Sequence, residues 1–268
     1  MPLIDSSARV ADGATIADSA EIGPFCVVGP DVVLGEGVRL MSHVSVQGAT
    51  TIGARTQVFP FASLGTAPQS VHYKGERTEL VIGTDCMIRE HATANTGTAG
   101  GRGITRIGDG VMMMTGSHVA HDCTIGNHVI FANNATLGGH VEVGDHVFLG
   151  GLCAVHQYTR IGSQVMVSGL TGVREDVIPF GYVLGQAGRL VGLNTIGMKR
   201  RGFTRTDLHT ARAAYRDLFF GEGVFSDRLA HMRDVAETSE FARAIVEFID
   251  AGKNRPLCRP ARGVVHEE

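Results

Sequence analysis

Residues 107–173 read IGDGVMMMTGSHVAHDCTIGNHVIFANNATLGGHVEVGDHVFLGGLCAVHQYTRIGSQVMVSGLTGV. Every sixth residue of this stretch is apolar: Ile107, Met113, Val119, Ile125, Phe131, Leu137, Val143, Leu149, Val155, Ile161, Val167 and Val173. An earlier series with the same spacing runs Val10, Ile16, Ile22, Val28, Leu34, Leu40, Val46, Ile52, Val58 and Leu64. All 22 positions are apolar in a chain that is 43% apolar. Chance would give that pattern on the order of once in ten million tries. Six residues are too few for a helical unit and do not fit a period of 3.6. They suit a short strand plus a corner, with one branched side chain pointing in and Gly, Asn or Asp turning the chain. Three such strands close a triangular coil of about 18 residues, and coils stack by parallel pairing at roughly 4.8 Å. The pattern predicts a parallel β-helix, and the period alone leaves its hand open.

The rest of the sequence agrees with one such body plus an appendage. Its 268 residues carry 24 Lys and Arg against 27 Asp and Glu, a net charge of -3. With 19% charged residues the chain can bury a core, and no nucleic-acid partner is expected from this charge. Gly reaches 36 residues, roughly 13% where about 7% is usual, and often follows the apolar hexad residue, as at Gly23, Gly53, Gly108 and Gly138. Five dispersed Cys (26, 86, 123, 153, 258) form no C-x-x-C pair, which argues against a disulfide framework or a structural zinc site. No apolar run is long enough for a membrane span, and the Met-Pro-Leu-Ile-Asp start lacks a signal sequence's features. A cytoplasmic location is expected.

Two segments interrupt the hexads. Residues 66–81 are polar and contain Pro, and residues 97–103 (GTAGGRG) are Gly-rich and shift the frame. Both are expected as loops on the binding face, where insertions in a solenoid collect. After Pro179 the hexads stop, so the β-helix is assigned to residues 1–185 and an α-helical domain to 186–268. Apolar residues at three- and four-residue spacing predict helices over 205–219, 225–236 and 239–250, with Thr206, Ser226 and Ser239 as N-caps and Gly252 as a stop. Residues 181–268 hold 14 basic and 11 acidic groups, against 10 and 16 in residues 1–180. The excess gathers at Lys199-Arg200-Arg201 and Arg205, either a solvated helix face or a surface for phosphates or an acidic partner.

Seven of the 12 His lie between residues 91 and 156. On an 18-residue coil, His118, His121, His140 and His156 fall within a wedge of roughly 80° on three successive coils, whereas His128 and His146 point elsewhere. Such a cluster serves either a metal or acid–base chemistry. The β-helical carbonic anhydrases bind zinc with a His pair five residues apart, and no two His here have that spacing. Acid–base chemistry without metal or cofactor is therefore expected. A flat, repeated Thr-rich face of the ice-binding kind is missing, which counts against a purely structural solenoid. A hexapeptide-repeat transferase using acetyl-CoA is the nearer rival.

The segments His118-Val-Ala-His121-Asp122-Cys123-Thr-Ile-Gly126-Asn127, Ala132-Asn133-Asn134-Ala135-Thr136-Leu137, Gly139-His140, Ala154-Val155-His156-Gln157 and Lys199-Arg200-Arg201-Gly202-Phe203 together resemble the UDP-N-acetylglucosamine O-acyltransferases of the LpxA family, which begin lipid A synthesis. The resemblance spans nearly the whole chain. It implies a left-handed parallel β-helix, a homotrimer with active sites between subunits, and transfer of an (R)-3-hydroxyacyl group from acyl carrier protein to the glucosamine 3-position. It also implies roles. His121 resembles the general base, with Asp122 fixing its ring, and the Gly139 N–H resembles the oxyanion donor. His118, His140, His156 and Gln157 resemble substrate-positioning residues, and Asn194, Arg200 and Arg201 resemble contacts to the nucleotide or its phosphates. The chemistry suits these types: an imidazole with an ordinary pKa near 6.5 can take a hydroxyl proton during attack, worth roughly 10²–10⁴ in rate, and an oxyanion donor adds about 10²–10³. No covalent intermediate is required, and Cys123 is expected to fill space.

Three departures from the common family pattern stand out. After Ala67-Pro68-Gln69 the chain has Ser70 and His72 where many members have an acidic residue and a Lys. Asn95-Thr96 replaces His-Arg, and Ile196 replaces Glu. Gln69, Ser70, His72 and Asn95 are thus expected near the sugar, which raises a 3-amino analogue as a possible acceptor. Gly169 falls where the family sets the end of its acyl groove, and the missing side chain leaves room for a tail on the order of 12–16 carbons.

Overall fold

The computed structural model describes residues 1–252 and 255–260. The remaining positions of the expected C-terminal domain, 253–254 and 261–268, lie outside the described residues.

The hexads form short strands, mostly of two residues, that stack into three rows of 11, 9 and 8 strands, all paired in parallel except the last pair of the first row. Strand pairs run Leu3↔Glu21, Arg9↔Val27 and Thr15↔Val33, so one coil takes 18 residues. Of the 22 hexad positions, 20 are buried, and the two at the N-terminal end, Val10 and Ile16, are half-buried against the core. Their side chains form columns along the axis, such as Met113, Phe131, Leu149 and Val167. Each fully buried side chain of this size contributes about 1.5–3 kcal/mol. The columns continue through Ile82, Ile88 and Ala94, between the two insertions. Cys26, Cys86, Cys123 and Cys153 each lie buried two residues before a hexad position, and all five Cys are free thiols. Burial pushes the Cys123 thiol up to about 12, so it stays protonated and serves as filler.

The corners depart from expectation. Sixteen non-Gly residues have positive φ, among them Phe25, His43, Arg55 and Leu152, and only Asp85, Asp122 and Asn134 are Asp or Asn. The cost of a left-handed L-residue, about 1–2 kcal/mol, is offset where corner rings stack from coil to coil, as His43 on Phe61 at 5.0 Å and Phe61 on His91 at 5.1 Å. The Gly residues after the hexad position serve close approach instead. A Cβ on Gly53 would stand 2.6 Å from the Gly83 backbone on the next coil.

Both insertions are present, with one changed boundary. Thr66 and Glu79–Val81 belong to strands, so the first excursion spans 67–78 rather than 66–81. The pair Ser63↔Thr93 makes that coil 30 residues long, and Thr93↔His118 makes the next one 25. The 97–103 segment is a loop as expected.

The first strand row runs on past residue 185 through an antiparallel hairpin, Gly181–Leu184 with Arg189–Leu193. Four helices follow: α1 (Thr195–Arg200), α2 (Arg205–Phe220), α3 (Phe225–Val235) and α4 (Glu240–Asp250). The six-residue α1 is too short for periodicity to reveal. Two N-caps differ from the sequence reading. Thr204, not Thr206, caps α2 in a reciprocal box with Asp207, and Val224, not Ser226, is the N-cap residue of α3, without a side-chain bond. Ser239 caps α4 as expected, and Gly252 follows its C-cap Ala251. The chain then returns to the β-helix, where Leu257 bridges Asp176. No helix among the described residues is long and apolar enough to cross a membrane.

Candidate active site

His118 opens one hexad strand, His118–Val119, and three residues later the chain turns a corner at His121-Asp122. One coil on, the same corner carries Gly139-His140, and the next carries Gln157-Tyr158. The backbone records this stacking: His140 N–H donates to His121 O at 2.9 Å, and Tyr158 N–H to Gly139 O at 3.0 Å. Asp122 and His140 both hold the left-handed corner conformation, with φ of 60° and 61°.

Nδ1 of His121 lies 2.8 Å from Oδ2 of Asp122, whose side chain is fully buried while that of His121 is 16% exposed. His140 stands edge-on to His121 at 5.1 Å between ring centres, with its Nε2 3.7 Å from the same Oδ2. Tyr158 stacks on the far side of His140 at 4.4 Å. His118 Nδ1 is 2.7 Å from Thr93 Oγ1. Gly139 lies directly against His121, and its N–H has no hydrogen-bond partner among the described residues.

Asp122 is held by the 97–103 loop. The N–H groups of Arg102 and Gly103 donate to Oδ1 at 2.8 and 3.2 Å, the Thr98 N–H reaches both oxygens at 3.1 Å, and the Thr98 hydroxyl donates to Oδ2 at 2.6 Å. The Asp122 N–H donates to the buried Thr105 hydroxyl at 2.8 Å. Burial opposes the charge of Asp122, but the hydrogen bonds from Thr98, His121 and Arg102 outweigh it and hold the carboxyl below its ordinary range. His118 is lowered by burial, with His121 adding to the effect. His140 is lowered by burial, against the opposing pull of Asp122.

His121, Asp122 and His140 offer three ligand atoms within 4.8 Å of one another, a triad that a search for His pairs alone does not find. The oxygens of Asp122 are already filled by amide, hydroxyl and imidazole donors. A cation on Oδ2 would have to displace Thr98 or His121, so the donor set fits an imidazole base better than a metal.

The structure thus brings together His121, Asp122, Gly139 and His140, with His118 beside them. His156 and Gln157 sit one coil beyond, exposed, with His156 Nδ1 3.0 Å from Gln157 O. The other expected positions lie elsewhere on the chain. Gln69, Ser70 and His72 are on the 67–78 excursion, where Ser70 Oγ accepts from His72 N–H. Asn95 ends the strand that carries Thr93, and its amide donates to Thr66 Oγ1 and to Ala67 O. Gly169 stacks over Gly151 at a second corner. Asn194 caps α1 and donates to Gln164 O at the third corner, where His128 and His146 stack at 5.0 Å; Arg200 and Arg201 are exposed at the end of α1.

Sequence reading missed Thr98, Arg102 and Tyr158. Tyr158, 18 residues after His140, was open to the same coil arithmetic. It also missed Arg255, which reaches back to donate to Gln157 O at 2.6 Å, a contact without local signal.

Residues 104–139 match the bacterial transferase hexapeptide family (six repeats), and residues 176–258 match the family described as UDP-N-acetylglucosamine O-acyltransferase, domain 2. The acyl-[acyl-carrier-protein]–UDP-N-acetylglucosamine O-acyltransferase of Azorhizobium caulinodans is 70% identical over 99% of this chain and 98% of its own. That of Caulobacter vibrioides is 53% identical over 84% of this chain and 86% of its own. Among solved structures, the UDP-N-acetylglucosamine acyltransferase of Francisella novicida superposes with a TM-score of 0.94 at 34% identity, covering 97% of this chain and 95% of that one. LpxA from Acinetobacter baumannii gives 0.91 at 35%, covering 95% and 99%. The likeness covers both the coils that build the histidine corner and the helices that follow them, and the β-helix is left-handed as in those neighbours. The chain belongs to the LpxA family of UDP-N-acetylglucosamine O-acyltransferases.

Proposed function

We propose that this chain transfers an (R)-3-hydroxyacyl group from acyl carrier protein to the 3-position of UDP-N-acetylglucosamine, the first step of lipid A synthesis, and that it works in the cytoplasm. His121 takes the proton of the attacking sugar hydroxyl at Nε2, since Nδ1 faces Asp122. Asp122 fixes the tautomer and steadies the imidazolium as it forms. The Gly139 N–H receives the negative charge that develops on the thioester oxygen. As the carbonyl re-forms, the carbon–sulfur bond breaks and the His121 imidazolium returns its proton to the leaving carrier sulfur, so no covalent enzyme intermediate arises. The 2.8 Å pairing of His121 with a buried, fully hydrogen-bonded Asp122 carries this reading.

Asn194, Arg200 and Arg201 stand at the third corner, away from His121 within one chain. A site using both sets draws on neighbouring copies, which supports a homotrimer with clefts between subunits. His118, His140, His156, Gln157, Gln69, Ser70 and His72 line the sugar and acyl path, and Asn194, Arg200 and Arg201 receive the nucleotide and its phosphates.

One observation favours a 3-amino sugar as a second acceptor. Asn95 Oδ1 is buried without a partner among the described residues, and its amide is tied down by Thr66 and Ala67. A 3-amino sugar brings an additional N–H donor to the place where the family commonly has His. Purified enzyme given (R)-3-hydroxyacyl carrier protein and either UDP-sugar, with products read by mass spectrometry, tests both. Acyl transfer to the 3-hydroxyl sugar is expected; a strong preference for it eliminates the amine, and no transfer to either refutes the reading.

A further inference from the structure

The seven residues that lengthen the coil between Thr93 and His118 close around a single carboxylate. Gly101 makes the approach possible, since a Cβ there would stand 2.6 Å from Asp122 Cγ, and Gly103 takes a left-handed φ of 70°. The two carboxylate oxygens are treated differently. Oδ1 is pinned by the N–H groups of Arg102 and Gly103, whereas Oδ2 is shared between the Thr98 hydroxyl at 2.6 Å and His121 Nδ1 at 2.8 Å. The nearest guanidinium is directed away from both. Arg102 Nη1 donates to Asp122 O and to Thr124 Oγ1, and Nη2 pairs with Glu142. The carboxylate is thus solvated by dipoles rather than neutralised by a cation, and its charge remains for the imidazole.

We propose that Thr98 is a positioning residue of the acyl-transfer site, its hydroxyl holding Asp122 Oδ2 so that this oxygen sets the orientation and basicity of His121. The inference rests on His121 being the general base. The other titratable groups facing the pair are His118 on the adjacent strand, His140 with Tyr158 stacked behind it, Arg102, and Cys123, which stays neutral. None of these donates to Oδ2 at hydrogen-bond distance, which leaves Thr98 as the side chain that shares it with His121.

Removing the hydroxyl has a definite sign. Oδ2 loses a donor, more of its charge falls on His121, and the imidazole holds its proton to higher pH. The test compares Thr98→Val and Thr98→Ser with the wild-type enzyme, using kcat and KM for UDP-N-acetylglucosamine from pH 5 to 9 and thermal melting to confirm folding. For Thr98→Val the acidic limb of kcat/KM moves up by about half a unit to one unit. Its kcat falls about 10- to 100-fold, and KM changes by less than about twofold. Thr98→Ser restores both the profile and kcat. A Thr98→Val profile that overlays wild type, an effect on KM alone, or a Thr98→Ser enzyme as impaired as Thr98→Val overturns the proposal. The His121→Ala enzyme, assayed alongside, separates the failures: turnover retained there removes the general base itself, whereas its loss beside an unchanged Thr98→Val profile removes only the role of Thr98.

Discussion

Gly139 lies one coil beyond His121 and touches its ring: a Cβ at position 139 would stand 2.5 Å from Cε1 and 2.7 Å from Nε2 of that imidazole. The glycine therefore serves two ends, room for the base and an N–H beside it that has no partner among the described residues. Gly139→Ala forces the ring away from the line of proton transfer. The expected result is a fall in kcat of at least about 100-fold in a variant that still folds. Steady-state kinetics beside a thermal melt check it, and near wild-type kcat would contradict the packing argument.

Stability should depend on the protonation of the site histidines. Burial lowers His118, with His121 adding; it also lowers His140, opposed by Asp122, and His146, with His128 and Arg201 adding. In the unfolded chain imidazoles protonate near 6.5, so below about that pH the unfolded state binds more protons than the folded one. The stabilisation is full above that value and is lost as pH falls through the lowered folded values. The wild-type melting temperature should drop between pH 7.5 and 5.5, and His118→Gln should drop less. An equal or larger drop in the variant would count against His118 as a contributor.

Gly169 is exposed, and the nearest atom to a Cβ placed there is Gly151 O at 3.1 Å. A side chain fits with a small adjustment and projects along the corner. Gly169→Met is therefore expected to fold normally and, if position 169 closes the acyl groove as the resemblance implies, to shift preference toward shorter acyl chains. Competition among carrier-bound acyl chains of graded length, read by mass spectrometry, checks this. Unchanged preference would show that position 169 does not measure the chain.

The β-helix was legible because one physical requirement, an inward apolar side chain every six residues, repeats at 22 positions and survives both insertions. The histidine corner followed from the same arithmetic, since His118, His121, His140 and His156 fall within a few positions of one another when counted by coils of 18. Corner chemistry was less legible. Of the 16 non-Gly left-handed residues only three are Asn or Asp, because stacking between coils supports rings at positions such as Phe61 and His91. The 97–103 loop was expected, but its grip on Asp122 was not, for a related reason. Thr98 sits 24 residues before its partner, inside the seven-residue insertion that breaks the 18-residue count, so no spacing rule links them. The α2 cap was misplaced by two residues because Thr206 and Thr204 are both suitable types, and only the reciprocal bonding with Asp207 distinguishes them.

Turnover of purified His121→Ala, with (R)-3-hydroxyacyl carrier protein and UDP-N-acetylglucosamine at neutral pH, bears most directly on how the enzyme works. Without the imidazole that Asp122 holds at 2.8 Å the proposed base is gone, and kcat should fall by roughly 10²–10⁴ while the protein melts near the wild-type temperature. A folded His121→Ala enzyme turning over within about threefold of wild type would contradict proton abstraction by His121.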